Sequence, residues 1–127
     1  FPSLQVTAIE TSDQRFSDLQ AVQTGGIQQL HPYKMSIYDL DFPDKSFEGI
    51  TFLEVLEHLE NPLMAATEAI RVTDKFILLS VPSKPDNNPE HIQFFQPDDI
   101  KNIFLQAGAK SVKIEHVLNH RIAIIKA

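Results

Sequence analysis

Segments with strand-like and helix-like patterns take turns along this chain, and this alternation is the strongest guide to its fold. Residues 75–82, "KFILLSVP", are almost continuously apolar, which is typical of a parallel strand covered on both faces. Helix signals lie between such runs, with Ser12 and Asn61 as suitable N-caps and Gly108 as a suitable stop. The order β-α-β-β-α-β-α-β-β predicts an α/β fold, with a mostly parallel sheet and a C-terminal antiparallel hairpin.

Two local predictions are specific enough to be compared with the structure. A short strand is predicted around residues 35–38, "MSIY", before an acidic loop that contains Pro43. The helix that begins at Asn61-Pro62 is predicted to bury one stripe of side chains, formed by Leu63, Ala66, Thr67 and Ile70.

Composition narrows the class of protein. The length of 127 residues predicts a single domain, and 43% apolar with 22% charged residues is ordinary for a globular protein. A net charge of −6 and scattered basic residues argue against a nucleic-acid partner. The absence of cysteine excludes disulfides and thiolate metal sites. No apolar run reaches the length of a membrane span, so no membrane partner is expected and the cytoplasm is the default location.

Four segments of the chain together resemble a known family. They are "YDLDFPDKSFEGITFLEVLEHLENP", "EAIRV", "FILLSVP" and "HIQFFQPDDIKNIFLQAGAKSV". Their content and order resemble the class I S-adenosylmethionine-dependent methyltransferases, most closely the small-molecule group called type 11 or type 23. The resemblance covers nearly the whole chain, and it implies a Rossmann-like sheet with S-adenosylmethionine as cofactor and S-adenosylhomocysteine as product.

The resemblance also predicts that the domain is incomplete at its N-terminus. In the family, a first strand and a Gly-rich turn precede the segment that matches residues 4–10, "LQVTAIE", and no G-x-G pattern occurs in this sequence. The missing strand is central in the family's sheet, so its absence would leave unpaired backbone groups. We therefore expect a fragment of a longer protein that binds the cofactor weakly or not at all by itself, or a chain completed by a partner, for which a homodimer is one arrangement.

The resemblance implies three residues at the adenosine part of the cofactor. Glu10 matches the acid that binds the ribose hydroxyls, and a carboxylate can accept from both vicinal O–H groups. Ser36 and Ile37 follow the position of the family's Gly-Asp pair, which is Met35-Ser36 here. Ser36 is expected to make one hydrogen bond to the adenine and Ile37 to pack on the purine face. The loss of the Gly-Asp pair weakens this assignment.

The same resemblance implies three residues near the methyl group. Glu54 stands where the methionine end of the cofactor and the acceptor meet, and it is assigned both a cofactor-binding and a catalytic role. Glu54 or His58 is expected to act as general base or to orient the acceptor. His91 is expected in the loop over the acceptor pocket. The alternative is structural, with Glu57 and His58 bracing the turn before the next helix.

The stretch "FLEVLEHLENP" also allows a metal site as an alternative. Glu54, Glu57 and His58 have the spacing i, i+3 and i+4, so a helical turn would place them on one side, with His91 as a fourth ligand. Such a set suits Mg²⁺ or Mn²⁺ and is similar to that of metal-dependent small-RNA 2′-O-methyltransferases. Because the motif also occurs in many methyltransferases without metal, the predicted site contains none.

The predicted function is transfer of a methyl group from S-adenosylmethionine to an unidentified small-molecule acceptor. Two alternatives remain at this point. One is a non-catalytic methyltransferase-like interaction module, and the other is the metal-dependent RNA 2′-O-methyltransferase.

Overall fold

The computed structural model of the chain describes residues 3–127. Within that range the elements follow the predicted order, with a 3-10 helix, Leu56–His58, added before the second α-helix. The elements are β1 (Val6–Glu10), α1 (Asp13–Thr24), β2 (Leu30–Lys34), β3 (Phe47–Leu53), α2 (Pro62–Val72), β4 (Thr73–Pro82), α3 (Pro97–Gln106), β5 (Ser111–Val117) and β6 (His120–Lys126). They fall into two compact units, one extending to Asp41 and one from Phe42 to Ala127. That these units form a single methyltransferase-like domain stays a prediction.

The first unit contains a two-stranded parallel sheet, β1 with β2, connected by α1. The predicted N-cap of α1 is confirmed, because the Ser12 hydroxyl accepts a hydrogen bond from the Arg15 backbone N–H. The helix ends at Thr24 with Gly25 as its C-cap, and Gly26 follows with φ of +128°, a conformation that glycine adopts without steric cost. Glu10 and Lys34 are paired at the carboxyl ends of the two strands.

The strand predicted at residues 35–38 is wrong, because the strand of this region is β2, Leu30–Lys34. Pro32 obscures β2 in the sequence, but the outer edge of a sheet tolerates a residue without a backbone N–H. The Ser36 hydroxyl accepts from the Tyr38 backbone N–H, and the Ser36 carbonyl accepts from that of Asp39. These two bonds form a turn where the strand was predicted.

The second unit contains a four-stranded mixed sheet in the order β3-β4-β6-β5. Strands β3 and β4 are parallel, and β6 pairs antiparallel with both β4 and β5. The predicted terminal hairpin is therefore confirmed, and so is the fold class, a Rossmann-like α/β arrangement with parallel strands and an antiparallel C-terminal pair.

The core of the second unit lies between its sheet and the helices α2 and α3. Asn61 and Pro62 begin α2 as predicted, with the Asn61 side chain accepting from the Met64 backbone N–H. The buried residues of α2 are Ala65, Ala66, Ala69 and Val72. The predicted stripe is therefore confirmed at Ala66 and wrong at its other three positions. Helix α3 buries Ile100 and Phe104.

Candidate functional site

Glu54 follows directly after β3 and has an unusual backbone conformation. Its φ of +56° lies in the left-handed region, which costs a non-glycine residue on the order of 1–2 kcal/mol. The backbone N–H of Glu54 donates to the Ser80 carbonyl at 3.1 Å, which ties the turn to β4. Strained residues concentrate at functional sites, so the conformation of Glu54 is a pointer to function that is independent of any motif.

The Glu54 side chain is oriented by a second contact with β4. The Ser80 hydroxyl donates to Oε1 of Glu54 at 2.8 Å. His120, the first residue of β6, places Nε2 at 3.6 Å from the same oxygen. That distance exceeds a hydrogen bond, so His120 lies beside the Glu54 carboxylate without bonding to it.

A cleft of about 410 Å³ opens beside Glu54 in the second unit. Sequence reasoning assigned no role to His120, Lys84 or Asp86, which contribute to its wall. His120 reaches this wall because it pairs with Pro82, which brings the start of β6 to the carboxyl end of β4. The polar residues of the wall are Glu54, Lys84, Asp86, His91, Asn119 and His120.

Glu57 lies on the 3-10 helix and is almost fully buried, with a relative exposure of 1%. Among the described residues, neither of its carboxylate oxygens has a hydrogen-bond partner. The Nε2 atoms of His58 and His91 lie 3.8 Å and 4.0 Å from its Oε1. We refer to Glu57, His58 and His91 as the Glu57 cluster, because their potential ligand atoms all lie within 4.8 Å of one another.

Both imidazoles of the Glu57 cluster are held by their other ring nitrogen. Nδ1 of His58 lies 2.9 Å from the Glu90 carbonyl oxygen, and Nδ1 of His91 lies 2.6 Å from Oδ2 of Asp86. Because a carbonyl and a carboxylate oxygen only accept, each Nδ1 is the donor, and each Nε2 of a neutral ring carries a lone pair. The rings pack edge to face, with centroids 4.8 Å apart.

Backbone contacts fix the loop after β4 to the 3-10 helix. The backbone N–H groups of Ile92 and Gln93 both donate to the Glu57 carbonyl, at 3.0 Å and 3.2 Å. The side-chain amide of Gln93 donates to the Leu59 carbonyl. These bonds give the 3-10 helix a role in holding the loop after β4, whereas the structural alternative placed Glu57 and His58 at the turn before the next helix. They use the backbone of Glu57, however, and leave its carboxylate unexplained.

The predicted grouping of Glu54 with Glu57 and His58 on one helical turn is not observed. The 3-10 helix begins at Leu56, and the left-handed conformation of Glu54 precedes it. Glu54 contacts Ser80 and His120, whereas Glu57 and His58 converge with His91. His91 belongs to the Glu57 cluster and also lines the cleft, as its predicted position in the loop implied.

Burial raises the pKa of the Glu57 carboxyl above its ordinary value, and the charge of Glu54 adds to this; the Glu57 backbone N–H and the two imidazoles offset only part of the effect. A raised folded-state pKa favours folding most at low pH, where the carboxyl is protonated. This contribution is lost as pH rises from the ordinary glutamate value through the folded-state pKa.

We therefore expect Glu57→Gln, measured with a chelator present, to raise the free energy of unfolding at pH 7.5 by on the order of 1–3 kcal/mol, with little gain at pH 4. An amide carries no charge, so its burial at this point costs less than that of a carboxylate. Thermal unfolding at the two pH values tests this. A Glu57→Gln protein that is less stable than wild type at pH 7.5 would show that the carboxylate has a partner.

The predicted adenosine-binding residues all belong to the first unit. Oε1 of Glu10 accepts from the backbone N–H groups of Thr11 and Ser12, at 3.1 Å each, which fixes the carboxylate at the end of β1. Ser36 and Ile37 follow the end of β2, the strand next to β1. The three residues thus lie at or just beyond the carboxyl ends of adjacent parallel strands, the edge where such sheets bind ligands.

Comparison with known families identifies the family of this chain. Residues 2–75 match the family whose description is "Methyltransferase domain", type 11. Because the match covers more than half of the chain, the chain belongs to this methyltransferase domain family. A search of curated proteins gave no match.

Solved structures of class I methyltransferases share the fold. A SAM-dependent methyltransferase from Aquifex aeolicus is 17% identical, with a TM-score of 0.81 over 96% of this chain and 68% of its own. A protein from Bacillus halodurans is 21% identical, with a TM-score of 0.74 over 89% of this chain. This chain spans 57% of the length of the Bacillus protein. At these identities the likeness establishes the fold.

The described residues include no helix with both the length and the apolar character needed to cross a membrane.

Proposed function

We propose that the protein transfers a methyl group from S-adenosylmethionine to a small-molecule acceptor bound in the cleft beside Glu54. The observation that carries this proposal is the strained Glu54 at the end of β3, whose carboxylate is oriented by Ser80 and lines an open polar cleft. Membership of the methyltransferase domain family supplies the reaction class.

The residues at the end of β1 and β2 suit the adenosine part of the cofactor. Oε1 of Glu10 is engaged by backbone amides, so the carboxylate has a fixed direction from which Oε2 can accept a ribose hydroxyl. The Ser36 hydroxyl accepts from the Tyr38 N–H and still has its own proton to donate to an adenine nitrogen. Ile37 is only partly exposed and offers an apolar surface to the purine.

The glycines of this sequence do not form a turn that would let the backbone come close to the methionine part of the cofactor. Gly25 and Gly26 follow a helix, Gly49 lies within β3, and Gly108 follows α3. None of them forms a turn after a strand, where the family has its Gly-rich motif. Weak cofactor binding by these 127 residues alone therefore stays a prediction.

The chemistry at the acceptor needs positioning and, for a protonated nucleophile, a base. When bound, the cofactor supplies an electrophilic methyl group on a sulfonium. Glu54 can hold the acceptor O–H or N–H by a hydrogen bond and take its proton as the bond from the acceptor atom to the methyl carbon forms and the bond from that carbon to sulfur breaks. Holding the nucleophile in line contributes further to the rate. His91 lines the same cleft and can position the acceptor by contact with its ring, because its two ring nitrogens are directed at Asp86 and Glu57. His58 fixes the loop that carries His91.

A small-molecule acceptor suits a cleft of this volume, which is at the lower end of the usual range for ligand pockets. Three further statements stay predictions from the sequence. The protein is expected to have no nucleic-acid or membrane partner, to be able to form a homodimer, and to lie in the cytoplasm.

Methyl transfer tests the proposal. S-adenosylmethionine with a labelled methyl group is incubated with the protein as its cell makes it, whether this chain or a longer one, and with fractions of a cell extract. We expect label to enter the low-molecular-weight fraction. Label in the RNA fraction would support the RNA methyltransferase instead. No transfer together with no binding of S-adenosylhomocysteine would support the interaction module.

A further inference from the structure

The Glu57 cluster brings three hydrogen-bond acceptors together with no donor between them. The Nε2 lone pairs of His58 and His91 face the carboxylate of Glu57, because each Nδ1 donates elsewhere. The carboxylate is buried, and neither oxygen is satisfied by any described residue. Burial of an ionised group without a partner is costly, so a positive charge at this point would stabilise all three groups.

The three acceptors of the Glu57 cluster lie too far apart to share a proton. Hydrogen bonds between nitrogen and oxygen span about 2.7–3.2 Å. The separations of 3.8 Å and 4.0 Å between the imidazole nitrogens and the Glu57 oxygen are too long for a proton on one group to reach another.

A metal ion fits the same space well. Imidazole nitrogen and carboxylate oxygen bind zinc at about 2.0–2.2 Å, so two ligand atoms on one ion lie about 3–4 Å apart. The potential ligand atoms of the cluster lie within 4.8 Å of one another. A contraction of roughly 1 Å would bring all three to a single ion at such bond lengths.

We propose that Glu57, His58 and His91 form a binding site for a divalent first-row transition-metal ion, and that Zn²⁺ is the ion that this donor set favours. Two imidazoles with one carboxylate form a borderline-soft set, which prefers zinc and its neighbours to Mg²⁺. The proposal departs from the sequence prediction of a site without metal, which rested on the motif alone. It also leaves Glu54 out of the ligand set.

The outer contacts of the two histidines are those that metal-binding histidines usually make. Asp86 accepts from Nδ1 of His91 and the Glu90 carbonyl accepts from Nδ1 of His58, which directs each Nε2 to the shared point. Asp86 is itself fixed, because its carboxylate accepts from the Asn88 backbone N–H. The outer contacts therefore direct both imidazoles toward the shared point before an ion binds.

The proposed ion would lie beside the cleft, because His91 belongs to both. Three protein ligands leave a coordination position for water or for an oxygen atom of a bound molecule. With both Nε2 atoms engaged, Glu54 remains as the acid–base group of the cleft. The metal site does not depend on the proposed methyl transfer.

Calorimetric titration with Zn²⁺ alone tests this proposal on the protein as its cell makes it, after treatment with a chelator. We expect one Zn²⁺ per chain, and Glu57→Gln and His91→Gln each to weaken binding at least tenfold. His116→Gln is the matched control, because the Nε2 of His116 contacts the Leu118 carbonyl outside the cluster. Mg²⁺ should give no comparable binding.

Two variants guard against a failure of folding. Glu57→Gln is expected to fold with unchanged or greater stability, so its loss of binding cannot come from unfolding. Asp86→Asn leaves all three ligands in place and should weaken Zn²⁺ binding about 10–100-fold. Asp74→Asn should have no effect, because Asp74 is an exposed residue at the start of β4, outside the cluster. Absence of stoichiometric Zn²⁺ binding would overturn the proposal. So would binding that Glu57→Gln and His91→Gln leave unchanged, or Mg²⁺ binding as tight as that of Zn²⁺.

Discussion

Replacement of Glu54 by glutamine is expected to lower kcat/KM for methyl transfer by about 10²–10⁴-fold. Glutamine keeps the size of the side chain and can still accept from the Ser80 hydroxyl, but it cannot take a proton from the acceptor. Steady-state release of S-adenosylhomocysteine, with the acceptor fraction identified by label transfer, measures this effect.

Controls separate the chemistry of Glu54 from a general effect of charge or folding. Ser80→Ala removes the hydroxyl that donates to Oε1 of Glu54 and should cause a smaller loss of activity. Glu115→Gln removes an exposed acid that pairs with Lys113 at 3.5 Å and should leave activity unchanged. A Glu54→Gln protein with wild-type activity at all pH values would remove Glu54 from the reaction.

Replacement of Phe104 by alanine is expected to lower the free energy of unfolding by about 3–5 kcal/mol. Phe104 has a relative exposure of 0% and is the largest fully buried side chain among the described residues. It lies on the buried face of α3, so its loss leaves a cavity as well as removing buried apolar surface. A loss of this size is a large part of the stability of a typical domain.

Leu105→Ala is the matched control, since Leu105 is the next residue on the same helix but is 49% exposed. Its change in unfolding free energy should be within about 1 kcal/mol, because exposed positions contribute little. Urea unfolding of both variants measures the difference. Equal losses at the two positions would mean that α3 does not pack through Phe104 as described.

The order of the elements could be predicted because several local signals agree. The Asn61-Pro62 start of α2 and the apolar run of β4 each have one dominant interpretation, and the structure confirms both. The hairpin is equally local, since its strands flank a short turn at Leu118. Such signals depend on neighbouring residues and need no knowledge of tertiary contacts.

Errors arose where tertiary contacts override local pattern. The buried face of α2 consists mainly of alanines, whose small side chains permit close packing, whereas the pattern gave more weight to Leu63 and Ile70. Ile70 lies near Gly108 instead. A Cβ atom built on that glycine would be 3.9 Å from Cγ2 of Ile70. Strand β2 was displaced in the prediction because Pro32 is usually a sign against a strand.

The candidate site was predictable only in part. The position of Glu54 at a strand end follows from the sequence, but its left-handed backbone does not. The convergence of Glu57 with His91 depends on the loop that the Ile92 and Gln93 amides attach to the 3-10 helix. The role of His120 depends on the register between β4 and β6. None of these long-range pairings has a local signature.

The most direct test of the central claim is thermal unfolding with and without S-adenosylhomocysteine, on the protein as its cell makes it. At about 100 times the dissociation constant, a competent site adds roughly 2.7 kcal/mol of stability, which appears as a raised midpoint. Glu10→Gln should weaken this binding by about tenfold or more, because a charged acceptor of the ribose hydroxyls is lost. The surface variant Glu115→Gln should leave it intact. A folded protein whose midpoint does not respond, or whose response survives Glu10→Gln unchanged, would contradict the proposed cofactor site.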